Sequence, residues 1–193
     1  MALLSKNDLI KRYNTRQSYL LEDSAEMNYA KNKIVEHAKS FSMYETYDVF
    51  LSHSFNDARI VEQIKVMLEK QGQRVYVDWI EDDHLDRGQV TFETAAVLRE
   101  RMNRCSSLIY LTSQSAESSL WMPWELGYMD ARTGRVAVAP ILEDDESFEG
   151  REYLGLYPYF DLTNDSFYIH RNISEWVNYK GWMNGEQPKS HIS

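Results

Sequence analysis

The sequence predicts an α/β fold: a parallel sheet with helices on both faces, preceded by a helical extension. Three observations point there. From Tyr47 onward, short apolar runs alternate with stretches of helical spacing, as chains that build parallel sheets do. The runs are nearly continuous in apolar character, which suits strands covered on both faces. The chemically unusual residues fall just after these runs, where open parallel sheets collect their ligands.

The elements follow in order. Tyr47-Asp48-Val49-Phe50-Leu51-Ser52 reads as the first buried strand. Asn56 to Gln71 carries Ile60, Ile64, Val66, Met67 and Leu68 near helical spacing, with Gly72 where a helix terminator belongs. Arg74-Val75-Tyr76-Val77 is a second strand, and the polar loop Asp78 to Val90 leads to a helix over Phe92 to Asn103. Ser107 to Thr112 is the third strand. Pro123 suits a first helical turn and dates the next helix to Met122 or Pro123. Val136 to Leu142 is the fourth strand and Tyr159 to Leu162 a short fifth, before a last helix expected over Ile173 to Tyr179. Residues 1–45 show no strand pattern; Leu9, Ile10, Tyr13, Leu20, Leu21, Ile34, Val35 and Ala38 predict one or two helices whose apolar faces pack on the main domain or on another copy. The expected division is an extension over 1–45, the α/β domain over 46–182 and a tail over 183–193. Glu143-Asp144-Asp145-Glu146-Ser147 reads as a solvated loop.

Composition narrows the function. In 193 residues, 43% hydrophobic and 26% charged, there is room for one good core. No apolar run reaches bilayer length, and Asp8 and Lys11 interrupt the N-terminus before a signal region develops, so a cytoplasmic protein without membrane contact is expected. The net charge of -9 lies mostly in the main body: residues 1–45 hold seven basic and six acidic side chains, leaving 14 against 24 elsewhere. Such a surface disfavours nucleic acid, whose phosphates need clustered Lys and Arg. The single cysteine, Cys105, adjoins an apolar run and reads as a buried hydrophobe. With no C-x-x-C and no paired histidines at ligand spacing, a metal site is not expected.

The candidate chemistry centres on Trp121-Met122-Pro123-Trp124-Glu125-Leu126-Gly127-Tyr128, which sets one carboxylate among aromatic rings at a helix start. Trp121 and Glu125 are four apart and share one side of the first turn. The alternative is that Glu125 complements the helix dipole while both tryptophans are core. After the first strand come Ser52-His53-Ser54-Phe55-Asn56-Asp57, and after the second Asp78-Trp79-Ile80-Glu81-Asp82-Asp83. With the first and third strands as neighbours, the His53 loop and the Glu125 helix flank one cleft. The sequence has no G-x-S-x-G elbow for a serine nucleophile, no G-x-G-x-x-G and no P-loop. A single well-placed carboxylate suits a leaving group that needs no protonation. The nicotinamide of NAD+ is one: it departs neutral from a cationic ring, while a glutamate stabilises the oxocarbenium-like ribose.

These motifs resemble the Toll/interleukin-1 receptor (TIR) domain, in its stand-alone bacterial branch, over roughly Tyr47 to Tyr179. The first box appears as Tyr47 to Ser54, the exit loop of the second strand (the BB loop) as Asp78 to Gly88, and the third signature as Trp121-x-x-x-Glu125. The resemblance implies a flavodoxin-like sheet of five strands in the order 2-1-3-4-5. It also implies homo-oligomers built through TIR–TIR contacts, and cleavage of NAD+ as substrate, by hydrolysis or cyclisation, with no cofactor, in anti-phage defence. By position it makes Glu125 the catalytic glutamate and Trp121 the residue that stacks on a base. It places His53, Ser54 and Phe55 along the nicotinamide-ribose side and has Asp78 and Trp79 open the BB loop. Asp82, Asp83 and Asp86 against Arg87 make that loop more acidic than a pyrophosphate favours. A signal made for a separate effector protein fits the implied role, as does direct NAD+ depletion. The other class is a non-catalytic scaffold that recruits proteins through the same surfaces.

Overall fold

Period-two alternation splits the core into two layers. In the strand Tyr47–Ser52, Val49 and Leu51 enter one apolar cluster, while Phe50 between them enters another on the opposite face. The structure, a computed structural model, describes residues 4–22, 46–78, 91–113, 116, 119–142 and 152–191. The expected second N-terminal helix around Ile34, Val35 and Ala38, the BB loop beyond Asp78 with Trp79, and the acidic segment Glu143 to Ser147 lie outside the described residues.

The described elements are β1 (Leu4–Ser5), α1 (Lys6–Glu22), β2 (Tyr47–Ser52), α2 (Ala58–Lys70), β3 (Val75–Tyr76), α3 (Phe92–Asn103) and β4 (Cys105–Thr112). They continue with α4 (Trp121–Thr133), β5 (Val136–Leu142), β6 (Tyr159–Thr163), β7 (Ser166–His170), β8 (Glu175–Asn178), α5 (Tyr179–Met183) and β9 (Lys189–Ser190). Sheet order runs β3-β2-β4-β5-β6-β7-β8-β9, and β3 to β6 are joined in parallel. That parallel part is the 2-1-3-4-5 order that the TIR resemblance implies.

On one face α1, α2 and α5 cover Val49, Leu51, Ile109, Ala137 and Phe160. On the other, α3 and α4 contribute Leu98, Met102, Met122, Leu126 and Met129 over Phe50, Tyr76, Leu108 and Val138. Fully burying a Leu, Ile or Phe side chain contributes about 1.5–3 kcal/mol, so each layer is a substantial driving force. The helix ends obey local chemistry. Gly72 takes φ 83 just past α2 and Gly134 φ 59 just past α4, the left-handed turn that glycine adopts without strain. The Thr91 hydroxyl accepts from the Thr94 N–H at 3.1 Å and caps α3.

Three features depart from expectation. Residues Ile173 to Tyr179 do not form a helix: Glu175–Asn178 is strand β8, and the helix starts only at Tyr179, where the Asn178 side chain accepts from the Gly181 N–H at 2.8 Å. The edge of β7 supplies β8 with a partner, and pairing overrides local propensity. β7 itself was not expected; it returns antiparallel from β6 through Asn164 and Asp165, both at positive φ (50 and 57), as a two-residue hairpin of this kind requires. At the termini, Leu4–Ser5 pairs with Ile141 and Leu142 of β5, and Lys189–Ser190 pairs with β8, so residues read as helical or as tail extend the sheet. A two-residue strand is too short to show a period.

The packing of α1 is resolved. Leu9 is buried against the core, Arg12 bonds both Asp8 and Asp165, and Arg16 reaches Glu62 of α2 at 2.5 Å. Among the described residues, no helix is long and apolar enough to cross a membrane.

Candidate active site

The site begins with an anomaly in α4. Its buried stripe runs Trp121, Met122, Glu125, Leu126, Met129, at the spacing of a helix face laid on a sheet. A carboxylate thus occupies a core position among apolar residues, where charged groups are rarely found unless paired. The helix starts at Trp121, with the Met122 N–H donating to the Ser119 hydroxyl at 3.3 Å; Pro123, one residue on, has no N–H to satisfy.

Glu125 is 0% exposed, and its Oε2 accepts a hydrogen bond from Ser52 Oγ at 2.6 Å. Ser52 ends β2 and lies in register with Tyr110 of β4, so the carboxylate rests over the C-terminal ends of two adjacent parallel strands. Burial pushes the Tyr110 phenol well above its ordinary value, and the nearby Tyr153 and the charge of Glu125 push it further. Its hydroxyl therefore stays neutral beside the carboxylate.

The loop after β2 is fixed by two side-chain links. His53, buried, donates from Nδ1 to the Leu51 carbonyl at 2.7 Å and presents Nε2 to Asp78 Oδ1 at 3.4 Å. This joins the exits of β2 and β3. Ser113 at the end of β4 donates to Asp57 Oδ2 at 2.5 Å, and the Asp57 N–H returns to the Ser54 carbonyl at 3.0 Å. Asp57 and Asp78 are thus tied to Ser113 and His53, while Glu125 stands over the sheet edge.

Of the residues singled out in the sequence, His53, Ser54, Asp78, Trp121 and Glu125 gather at this edge, and Phe55 opens the single turn Phe55–Asp57 beside it. Trp79 lies outside the described residues. Trp121 is 7% exposed and meets Trp124 edge-on with ring centroids 5.5 Å apart; Trp124 in turn stacks on Tyr128. Trp121 also walls a groove of about 530 Å³ between α3 and α4, with Ala95, Arg99, Leu120, Trp124 and Tyr128. Arg99 sits 6.0 Å from the Trp124 ring centroid. Glu125 is not part of that lining; it lies one turn further along the same buried stripe of α4 as Trp121.

Sequence reasoning missed Ser52 and Tyr110 as neighbours of the carboxylate. The signal was present in the alternation, which puts Ser52 on the face of Phe50, the face α4 covers. The strand pairing that brings Tyr110 beside it is a tertiary fact.

Fold and site together define an open α/β domain with a fully buried glutamate, beside the tied Asp57 and Asp78, at the carboxyl edge of its sheet. The TIR domain family model matches residues 49–175, and the chain belongs to that family. It is 43% identical over 192 residues to the "Probable 3' cyclic ADP-D-ribose synthase ThsB'" of Bacillus cereus (strain MSX-D12), covering 95% of this chain and 98% of that protein. It is 27% identical over 123 residues to the "Putative cyclic ADP-D-ribose synthase TIR2" of Cytobacillus dafuensis, spanning 62% of this chain and 32% of that one. A solved TIR domain, from the Toll-related Receptor TRR-2 of Hydra magnipapillata, is 19% identical with a TM-score of 0.44, covering 60% of this chain and 84% of that one.

Proposed function

We propose that the protein cleaves the nicotinamide–ribose bond of NAD+ and closes the remainder into a cyclic ADP-ribose. What carries the reading is the 43% identity to ThsB' over nearly the whole of both chains. The site supplies the chemistry. Nicotinamide leaves as a neutral molecule, so no general acid, metal or cofactor is required. Glu125 is the catalytic residue of this reading, its carboxylate stabilising the positive charge that develops on the ribose. A hydroxyl of the adenosine ribose then attacks the same carbon: the carbon–nitrogen bond breaks, a carbon–oxygen bond forms, and the hydroxyl proton is released. Attack by water instead gives linear ADP-ribose, and the aromatic wall at Trp121 favours ring closure by excluding water.

In this reading Trp121 stacks on a base of the substrate, His53, Ser54 and Phe55 line the nicotinamide-ribose side, and Asp78 with Trp79 opens the BB loop. Residues 46–182 form the enzyme unit, with 1–45 and 183–193 flanking it. The enzyme works in the cytoplasm as a homo-oligomer, and its cyclic product acts on a separate effector protein in anti-phage defence. The test is direct. Concentrated protein incubated with NAD+ should release one nicotinamide per NAD+ consumed, and mass spectrometry should find a product one water lighter than ADP-ribose. ADP-ribose alone would make it a hydrolase, and undiminished NAD+ would leave a binding module.

A further inference from the structure

We propose that Ser52 is the positioning residue for Glu125, its hydroxyl holding the buried carboxylate in one orientation and as the anion; the proposal rests on the catalytic reading of Glu125. Both side chains are fully buried. Burial by itself favours the uncharged acid, which would offer no charge to a cationic ribose. The Ser52 Oγ–H donates to Oε2 at 2.6 Å, within the short range of about 2.5–2.7 Å found for hydroxyl to carboxylate bonds. A donor aimed at the anion offsets the desolvation and keeps the charge in place.

The anchor is rigid as well as polar. Ser52 is the last residue of β2, a strand paired on both sides, by β3 and by β4, and its own register partner is Tyr110. Glu125 projects from a helix and has three rotatable bonds to fix. One short bond to a strand paired on both sides fixes them. Serine meets this need with the smallest side chain that carries a donor, leaving room for α4 to lie on the sheet.

The experiment follows NAD+ turnover by Ser52→Ala, Ser52→Thr and Ser52→Cys across a pH series, with melting temperature as the control for folding. Loss of a hydrogen bond to a charged group predicts that Ser52→Ala lowers kcat roughly tenfold to hundredfold with KM little changed. It also predicts that the acid limb of kcat/KM moves up by about one pH unit or more, because the carboxylate now protonates more readily. Ser52→Thr keeps the hydroxyl and should restore the position of the acid limb. If Ser52→Ala does not fold, Ser52→Cys, which keeps the shape with only a weak donor, carries the test and should move the limb partway. An acid limb that stays at the wild-type pH, with activity lost only in step with melting temperature, overturns the proposal and leaves Ser52 a packing residue. Should Glu125→Gln turn over NAD+ normally, the catalytic reading itself falls; should Glu125→Gln be inactive while Ser52→Ala matches wild type, only the positioning role falls.

Discussion

Replacing Glu125 by glutamine removes one charge and almost no volume, which makes it the sharpest test of the site. The carboxylate is fully buried, with Ser52 Oγ on Oε2. The amide retains an oxygen to accept that bond, so the local packing survives. At a separation of about 4 Å and an effective dielectric of about 20, attraction between the carboxylate and a cationic ribose is worth about 4 kcal/mol. The amide dipole recovers part of this, and a net loss of about 2.7–4 kcal/mol corresponds to a fall in kcat of about 10²- to 10³-fold. Stability should move the other way or not at all, because keeping an ionised carboxylate out of water costs several kcal/mol that the neutral amide avoids. The assay pairs NAD+ turnover, resolved by chromatography, with thermal melting followed by circular dichroism. A folded variant within about threefold of wild-type turnover would refute the reasoning and return Glu125 to a structural role.

Further outcomes are expected from the same structure. Trp121→Ala should weaken apparent NAD+ affinity or alter the product ratio by about tenfold, with Trp121→Phe recovering part; equal damage from both, tracking melting temperature, would make Trp121 core only. Turnover per subunit should rise with protein concentration across a dilution series followed by light scattering, and a constant rate from a monomer would oppose the proposed assembly. Burial pushes the phenols of Tyr110 and Tyr179 well up, and burial with the bond to Asp130 brings Tyr157 up to about 12. The folded state therefore binds these protons more tightly than the unfolded chain. Their contribution is complete below a pH of about 10 and is lost as pH rises through the folded values, so denaturation midpoints should fall above pH ~10. Burial likewise pushes the Cys105 thiol up, so native protein at pH 8 should resist alkylation that the unfolded chain undergoes readily.

The parallel half of the sheet was legible in the sequence because its strands are short apolar runs separated by helical stretches, the first of them with its own terminator at Gly72. The residues that line the sheet edge, His53, Asp78, Trp121 and Glu125, were legible too, since a parallel strand always delivers its C-terminal loop to the same side. The antiparallel extension was not. Glu175–Asn178 is a strand only because β7 lies alongside it, and Leu4–Ser5 only because β5 offers Ile141 and Leu142. Neither segment carries enough residues to declare a period. The environment of Glu125 belongs to the same category. The sequence placed a glutamate among aromatic residues at a helix start, but its complete burial and its bond to Ser52, 73 positions earlier, arise from the packing of α4 across β2 and β4. Periodicity records which face of an element turns inward; the partner waiting there is set by strand pairing and helix packing between segments far apart in the chain, where no local pattern reaches.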